Sequence, residues 1–202
     1  PYTPCYYVGV SGEVEPPAMD ELPHRTYLAY GSSITHGSLG LIQPDSYPFR
    51  IAQRLKTDYI NMGFAGCALM EQKMAEYLVS RKDWDFASVE MGINAVGNKR
   101  RLGLDEFEAR IDCFTQILSD DPRPVFATSI FGFNGEDQEL AGKMRSIVSK
   151  YASERLIFTD GLELLNDAAL ISADCTHPSC RGIELIADKW GSIMQKHLKE
   201  TC

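Results

Sequence analysis

The turn Gly31-Ser32-Ser33-Ile34-Thr35 places two hydroxyls directly after an apolar run, Tyr27-Leu28-Ala29-Tyr30. A serine becomes a nucleophile only when a base takes its proton. His177, in Asp174-Cys175-Thr176-His177-Pro178, is the base best placed by the sequence. Imidazole titrates near neutral pH. Asp174, three residues earlier, can hold the ring's other nitrogen and favour the proton-accepting tautomer. Attack on an acyl carbonyl also creates an oxyanion, which needs fixed donors. The turn Gly63-Phe64-Ala65-Gly66-Cys67 can supply the Gly66 N–H, and Gly92-Ile93-Asn94 the Asn94 amide. The Ser33 N–H is a third donor if a helix starts there. These are the parts of an acyl-transfer site.

They can work together only if the fold brings them to one rim. Short apolar segments at Thr26–Gly31, Asp58–Gly63, Phe86–Gly92, Pro124–Ile130 and Arg155–Asp160 read as strands. Helical patterns alternate with them at Tyr47–Lys56, Leu69–Ser80, Leu104–Leu118, Glu136–Ala152 and Gly182–Leu198. In Leu104–Leu118, Phe107, Ile111, Phe114 and Leu118 form one apolar stripe. In the last helix Ile183, Ile186, Ala187, Trp190 and Met194 do the same. Five strands separated by helices predict an α/β fold, a three-layer α/β/α sandwich around a flavodoxin-like five-stranded parallel sheet. In such sheets the ligand crevice lies beyond the carboxyl ends of the strands. Ser33, Gly66 and Asn94 each follow a predicted strand, and His177 lies in the loop before the final helix.

With all four groups located, the chain resembles the SGNH hydrolase superfamily, the GDSL-like esterases and lipases. Gly31-Ser32-Ser33-Ile34-Thr35 is similar to its first block, Asn61-Met62-Gly63-Phe64-Ala65-Gly66 to its second, Gly92-Ile93-Asn94 to its third, and Asp174 to Pro178 to its fourth. The resemblance runs from Thr26 to about Leu198. It selects Ser33 over Ser32 as nucleophile, with His177 and Asp174 completing the triad and Ser33, Gly66 and Asn94 forming the oxyanion hole. It implies no cofactor and no metal. Two departures stand out: Ser32 replaces the usual aspartate of the first block, and Ala95 the usual acid of the third. A Gly-Ser-Ser-Ile-Thr first block resembles a bacterial branch whose members often carry a β-domain before the hydrolase. Residues 1–25, which hold five of the ten prolines, are accordingly read as an extended segment or the remnant of such a domain. Residues 26–202 are read as the hydrolase domain.

Composition narrows the partners. The 202 residues carry a net charge of −8, which argues against nucleic acid or an anionic membrane as the main partner. No run of eighteen apolar residues suggests a membrane span. No signal peptide is visible, which favours a cytoplasmic location, although the chain begins at Pro1 rather than Met. The cysteines, Cys5, Cys67, Cys113, Cys175, Cys180 and Cys202, lack zinc-ligand spacing. Free thiols are expected, with a Cys175–Cys180 disulfide as the alternative. His36 is expected at the rim, His24 and His197 in solvent, and Phe131 and Phe133 either in the pocket or packed in a loop. The leading expectation is a serine esterase acting on a small-molecule or glycan ester with a short acyl group; the resembled branch points to an O-acetylated carbohydrate. A lysophospholipase or thioesterase acting on longer chains, and a non-catalytic glycan-binding module, are the alternatives. The sequence leaves the oligomeric state open.

Overall fold

The computed structural model describes residues 6–40, 45–97 and 101–200. Cys5 and Cys202 lie outside the described residues. The five strands are β1 (Thr26–Gly31), β2 (Asp58–Gly63), β3 (Phe86–Glu90), β4 (Val125–Thr128) and β5 (Leu156–Thr159). They form one parallel sheet in the order β2-β1-β3-β4-β5. This is the flavodoxin-like order, whose crevice lies beyond the carboxyl ends of β1 and β3, where the strand order reverses. Gly31 lies opposite Gly63 in register, so the first two strands end level.

The helices are α1 (Ser33–His36), α2 (Tyr47–Leu55), α3 (Gln72–Ser80), α4 (Ile93–Val96), α5 (Leu104–Ser119), α6 (Gln138–Ser149), α7 (Gly161–Leu164) and α8 (Cys180–Glu200). The longer ones cover both faces of the sheet: α2 packs with α8, and α5 with α3 and α6. The stripe Phe107, Ile111, Phe114 and Leu118 is buried, as its spacing predicts. On the other face Trp190 of α8 meets Tyr47 of α2, their rings 5.6 Å apart. The Ser46 side chain caps α2 by accepting from the Phe49 N–H, and Lys56, at φ 55°, ends it.

Boundaries shift where backbone geometry overrides apolar content. The helix expected from Leu69 begins at Gln72, because buried Met70 is held left-handed at φ 52°. Its N–H donates to the Tyr30 hydroxyl at 3.3 Å. The strand expected to Gly92 stops at Glu90, and Gly92, at φ 118°, turns the chain directly into α4. There an added Cβ would lie 2.7 Å from Ile130, so the glycine is sterically required. The helix expected over Glu136–Ala152 is shorter at both ends, Gln138–Ser149. The four-residue helices α1, α4 and α7 are too short to show a 3.6-residue period, so pattern reading passes over them.

Residues 6–25 are exposed and carry no strand or helix.

Candidate active site

β1 is fully buried after its first residue and delivers the chain to a tight strand-to-helix turn. Ser32 caps α1, its Oγ accepting from the Ile34 N–H at 3.1 Å. Ser33 is therefore the first residue of α1, and its N–H has no partner within the helix. Gly31 makes the turn possible: a Cβ there would meet the Thr35 Oγ1 at 2.1 Å and the Glu90 Oε2 at 2.7 Å.

The loop between the 3-10 turn Ala168–Leu170 and α8 brings in the base. It is braced by an antiparallel bridge between Ile171 and Pro178 and by the Ser172 N–H donating to the His177 carbonyl at 2.7 Å. The His177 Nε2 lies 2.7 Å from the Ser33 Oγ, across 144 residues of sequence. Its Nδ1 lies 2.5 Å from the Asp174 Oδ2. The other carboxylate oxygen, Oδ1, accepts from the N–H groups of Thr176 (3.1 Å) and His177 (3.0 Å). Partial burial pushes the Asp174 carboxyl upward. The bonds from His177 and Thr176 outweigh that and hold it below the ordinary aspartate value. Asp174 thus stays ionised at neutral pH, with Nδ1 as the donor to it and Nε2 as the acceptor for the Ser33 hydroxyl.

Ser33, Gly66, Asn94 and His177 line one cleft of about 740 Å³. Gly66 sits at φ 69° on an exposed turn with nothing near its missing Cβ, so conformation rather than space calls for glycine there. Asn94 is inside α4, whose cap is Gly92, so the helix-cap role that asparagine often takes does not apply. With its Oδ1 turned to the loop after β2, Asn94 accepts from the N–H groups of Cys67 (3.1 Å) and Ala68 (3.0 Å). The reverse orientation offers a single bond, to the Phe64 carbonyl at 3.3 Å. The hydrogen-bond network selects the first. Asn94 is also among the residues that line the cleft.

The remaining expectations divide. Phe133 lines the cleft, whereas Phe131 is in the core, 6.4 Å from the Trp190 ring centre. His197 is partly buried and packs edge-on against Phe126, so it is not a solvent-facing residue; it stands three residues after buried Met194, at the edge of the α8 stripe. His24 is exposed. Cys67, Cys113, Cys175 and Cys180 are free thiols, so Cys175 and Cys180 are not joined. Cys175 is left-handed at φ 63°, and its carbonyl accepts from the Asn134 N–H at 2.7 Å, tying the histidine loop to the loop after β4. Among the described residues no helix is long and apolar enough to cross a membrane. No group of three or more His, Cys, Asp or Glu among them could hold a metal ion.

Sequence reading missed the carboxyl of Glu90, which lies under the serine turn, because a lone acid in an apolar strand carries no motif. The rim acids Glu136 and Asp137 were missed as well. The second of these pairs with Arg101 at 3.2 Å.

No protein-family model matches the sequence, and no curated protein matches it. Solved structures do match the fold. One is a protein from Bacteroides ovatus assigned as a GDSL-like lipase, with a TM-score of 0.74, 21% identity, and coverage of 87% of this chain and 54% of that one. A second is the salicylyl-acyltransferase SsfX3 of a tetracycline biosynthetic pathway, with a TM-score of 0.64, 20% identity, and coverage of 81% and 52%. A third is Est24, a carbohydrate acetylesterase from Sinorhizobium meliloti, with a TM-score of 0.70, 12% identity, and coverage of 85% and 99%. The chain spans about half the length of the first two and nearly all of the third. It has the α/β/α sandwich fold of the GDSL-like lipases and esterases.

Proposed function

We propose that the protein is a serine esterase that removes a short acyl group from a hydroxyl-rich, uncharged substrate, an O-acetylated carbohydrate being the class that fits best. The observation that carries this reading is the line Ser33–His177–Asp174, with 2.7 Å and 2.5 Å links. In the reaction the Ser33 Oγ attacks the ester carbonyl carbon while its proton passes to the His177 Nε2. The imidazolium is stabilised by Asp174. The carbonyl oxygen, now an oxyanion, is met by the N–H groups of Ser33 and Gly66 and by the Asn94 Nδ2. His177 returns the proton to the leaving alkoxide, and a water deprotonated by the same nitrogen releases the acid. No cofactor takes part in these steps.

The cleft supports the short acyl group. Ile93 and Val96 are only 9% and 3% exposed, so most of their apolar surface already faces the core. That leaves the half-buried Phe133 as the main apolar wall. Each methylene of a longer chain would need apolar lining to gain about 0.8 kcal/mol. Glu136, Asp137 and Thr176 line the same cleft and can accept hydrogen bonds from hydroxyls, while the two acids repel phosphate-bearing substrates. Est24, of the same fold, is a carbohydrate acetylesterase, which agrees with this reading.

The test is hydrolysis of p-nitrophenyl esters from acetate to decanoate by wild type and Ser33→Ala. The expected result is maximal kcat/KM at acetate and loss of turnover in the variant. Equal rates in the two proteins would end the assignment of Ser33. Rates that climb with chain length would favour a lysophospholipase or thioesterase instead.

A further inference from the structure

Beneath the serine turn lies a carboxyl that the proposed mechanism does not use. Glu90 ends β3 and is 1% exposed, an environment in which acids are rarely found without a role. Its Oε2 accepts from the Ser32 N–H at 2.7 Å and from the Thr35 Oγ1 at 3.2 Å. Those two residues flank Ser33 on either side, one directly before it and one two residues after it in the single turn of α1. The Thr35 hydroxyl is itself held by the Tyr47 hydroxyl at 2.7 Å, which fixes its direction. Gly31 leaves the opening through which the carboxylate reaches: a Cβ there would lie 2.7 Å from the Oε2 and 2.9 Å from the Glu90 Cβ.

From this arrangement we infer that Glu90 is a positioning residue, whose Oε2 fixes the backbone on both sides of Ser33 and so sets the direction of its Oγ toward His177 and the ester. The inference rests on the reading of Ser33 as nucleophile. The argument is one of geometry. A four-residue helix has a single turn of internal bonds and cannot hold its own first residue rigidly. The Ser32 side chain is already used in capping α1. The Ser32 N–H and Thr35 hydroxyl therefore depend on a strand next door; β2 ends there in Gly63, which has no side chain, and β3 ends there in Glu90. The acceptor must have the reach of a glutamate, because Glu90 spans from one strand across to the loop leaving another.

The experiment measures second-order labelling of Ser33 by a fluorophosphonate, with kcat and KM for p-nitrophenyl acetate, in wild type, Glu90→Ala, Glu90→Asp and Glu90→Gln. Labelling joins the Ser33 Oγ to phosphorus and expels fluoride, so it reports the nucleophile without the deacylation step. Glu90→Ala and Glu90→Asp, the second with its acceptor drawn back by one methylene, should slow labelling and kcat by about 10²-fold, the effect expected of an ångström-scale misplacement. KM should hardly change. Glu90→Gln keeps an oxygen at full reach and should restore most of the rate. A purely structural role would lower the melting temperature and leave the labelling rate of the folded variants unchanged. If Glu90→Ala does not fold, Glu90→Asp against Glu90→Gln still decides. Labelling of Glu90→Asp at the wild-type rate, or of Glu90→Gln no faster than Glu90→Asp, overturns the inference while leaving Ser33 as the nucleophile. Failure of wild type to label at Ser33 overturns the nucleophile assignment itself.

Discussion

Replacing Asp174 by asparagine tests the proposed site at its least obvious joint. The two carboxylate oxygens have separate duties: Oδ2 faces the His177 Nδ1 at 2.5 Å, and Oδ1 accepts two backbone N–H groups at 3.1 and 3.0 Å. Asparagine has one oxygen to divide between them. If that oxygen stays with the two N–H groups, the amide NH₂ faces Nδ1. The ring must then carry its proton on Nε2, 2.7 Å from the Ser33 Oγ, where it can no longer take the serine proton. If the amide turns round, the NH₂ faces two backbone donors. The first arrangement holds the wrong tautomer; the second keeps the useful one, but only with the NH₂ pressed against two backbone donors. Losing the charge-assisted bond costs about 1.5–3 kcal/mol, and opposing donors add about 1–3 kcal/mol. The sum, about 2.5–6 kcal/mol, corresponds to a fall in kcat of roughly 10²- to 10⁴-fold. The assay is steady-state hydrolysis of p-nitrophenyl acetate, with the melting temperature measured on the same preparation. KM should change little, because the lost interaction matters only once His177 is charged. A fall in kcat smaller than about tenfold, or about 1.4 kcal/mol, would refute this account of Asp174.

Other outcomes follow from the same coordinates. Asn94→Asp keeps an oxygen for the Cys67 and Ala68 N–H groups but has no donor for the oxyanion; kcat should fall about 10²–10³-fold, with thermal stability close to wild type. If kcat survives, Asn94 is not a donor in the transition state. Gly66→Ala meets no steric obstacle but must hold φ 69°, so chemical denaturation should show a loss of about 1–2 kcal/mol. A neutral result would mean that the turn relaxes to another conformation. Arg123→Ala should cost about 3–5 kcal/mol, because it strands Asp121, which is 8% exposed and held by bonds of 2.7 Å to each oxygen. Burial pushes the Asp121 carboxyl up, and the bonds from Arg123 outweigh it and hold it below the ordinary value. That stabilisation is present above the unfolded pKa of about 3.9 and is lost as pH falls through the lower folded value. The gap between wild type and Arg123→Ala should therefore narrow in acid; a gap independent of pH would contradict the ion-pair account.

Residues that obey a simple period were legible from sequence. The α5 stripe was read in full, because burial on one face forces apolar residues to recur at fixed spacing, and β1 was placed to the residue because a strand buried on both faces reads as an unbroken apolar run. The candidate site was legible for a different reason. Its groups sit at strand ends, so locating the strands located Ser33, Gly66 and Asn94. What stayed hidden depends on contacts between distant segments. Met70 is left-handed because Tyr30, forty residues earlier, takes its N–H. Phe131 and Phe133 are two residues apart, and packing against Tyr47 and Trp190 puts the first in the core. His197 looked free because a solvent face and a Phe126 edge are alike in a helix pattern.

Glu90 also accounts for the departure at position 32, where the resembled family usually has aspartate. The cap of α1 does not choose between the two residues, since serine and aspartate oxygens both accept from a helix N–H. The surroundings do. Ser32 is 1% exposed, and its own N–H is bound by a carboxyl that is equally buried. An aspartate at 32 would place a second carboxyl beside the first in a poorly solvated turn, where two like charges cannot both stay ionised cheaply. The burial of Glu90 already raises its pKa, and the bonds from Ser32 and Thr35 work against that rise. The donors available there reach only one oxygen of Glu90, Oε2, and leave its buried Oε1 without a hydrogen bond, so a second acid would compete for too few of them. Serine at 32 and glutamate at 90 therefore form one solution, in which the acceptor proposed to steady Ser33 comes from the adjacent strand rather than from the turn itself.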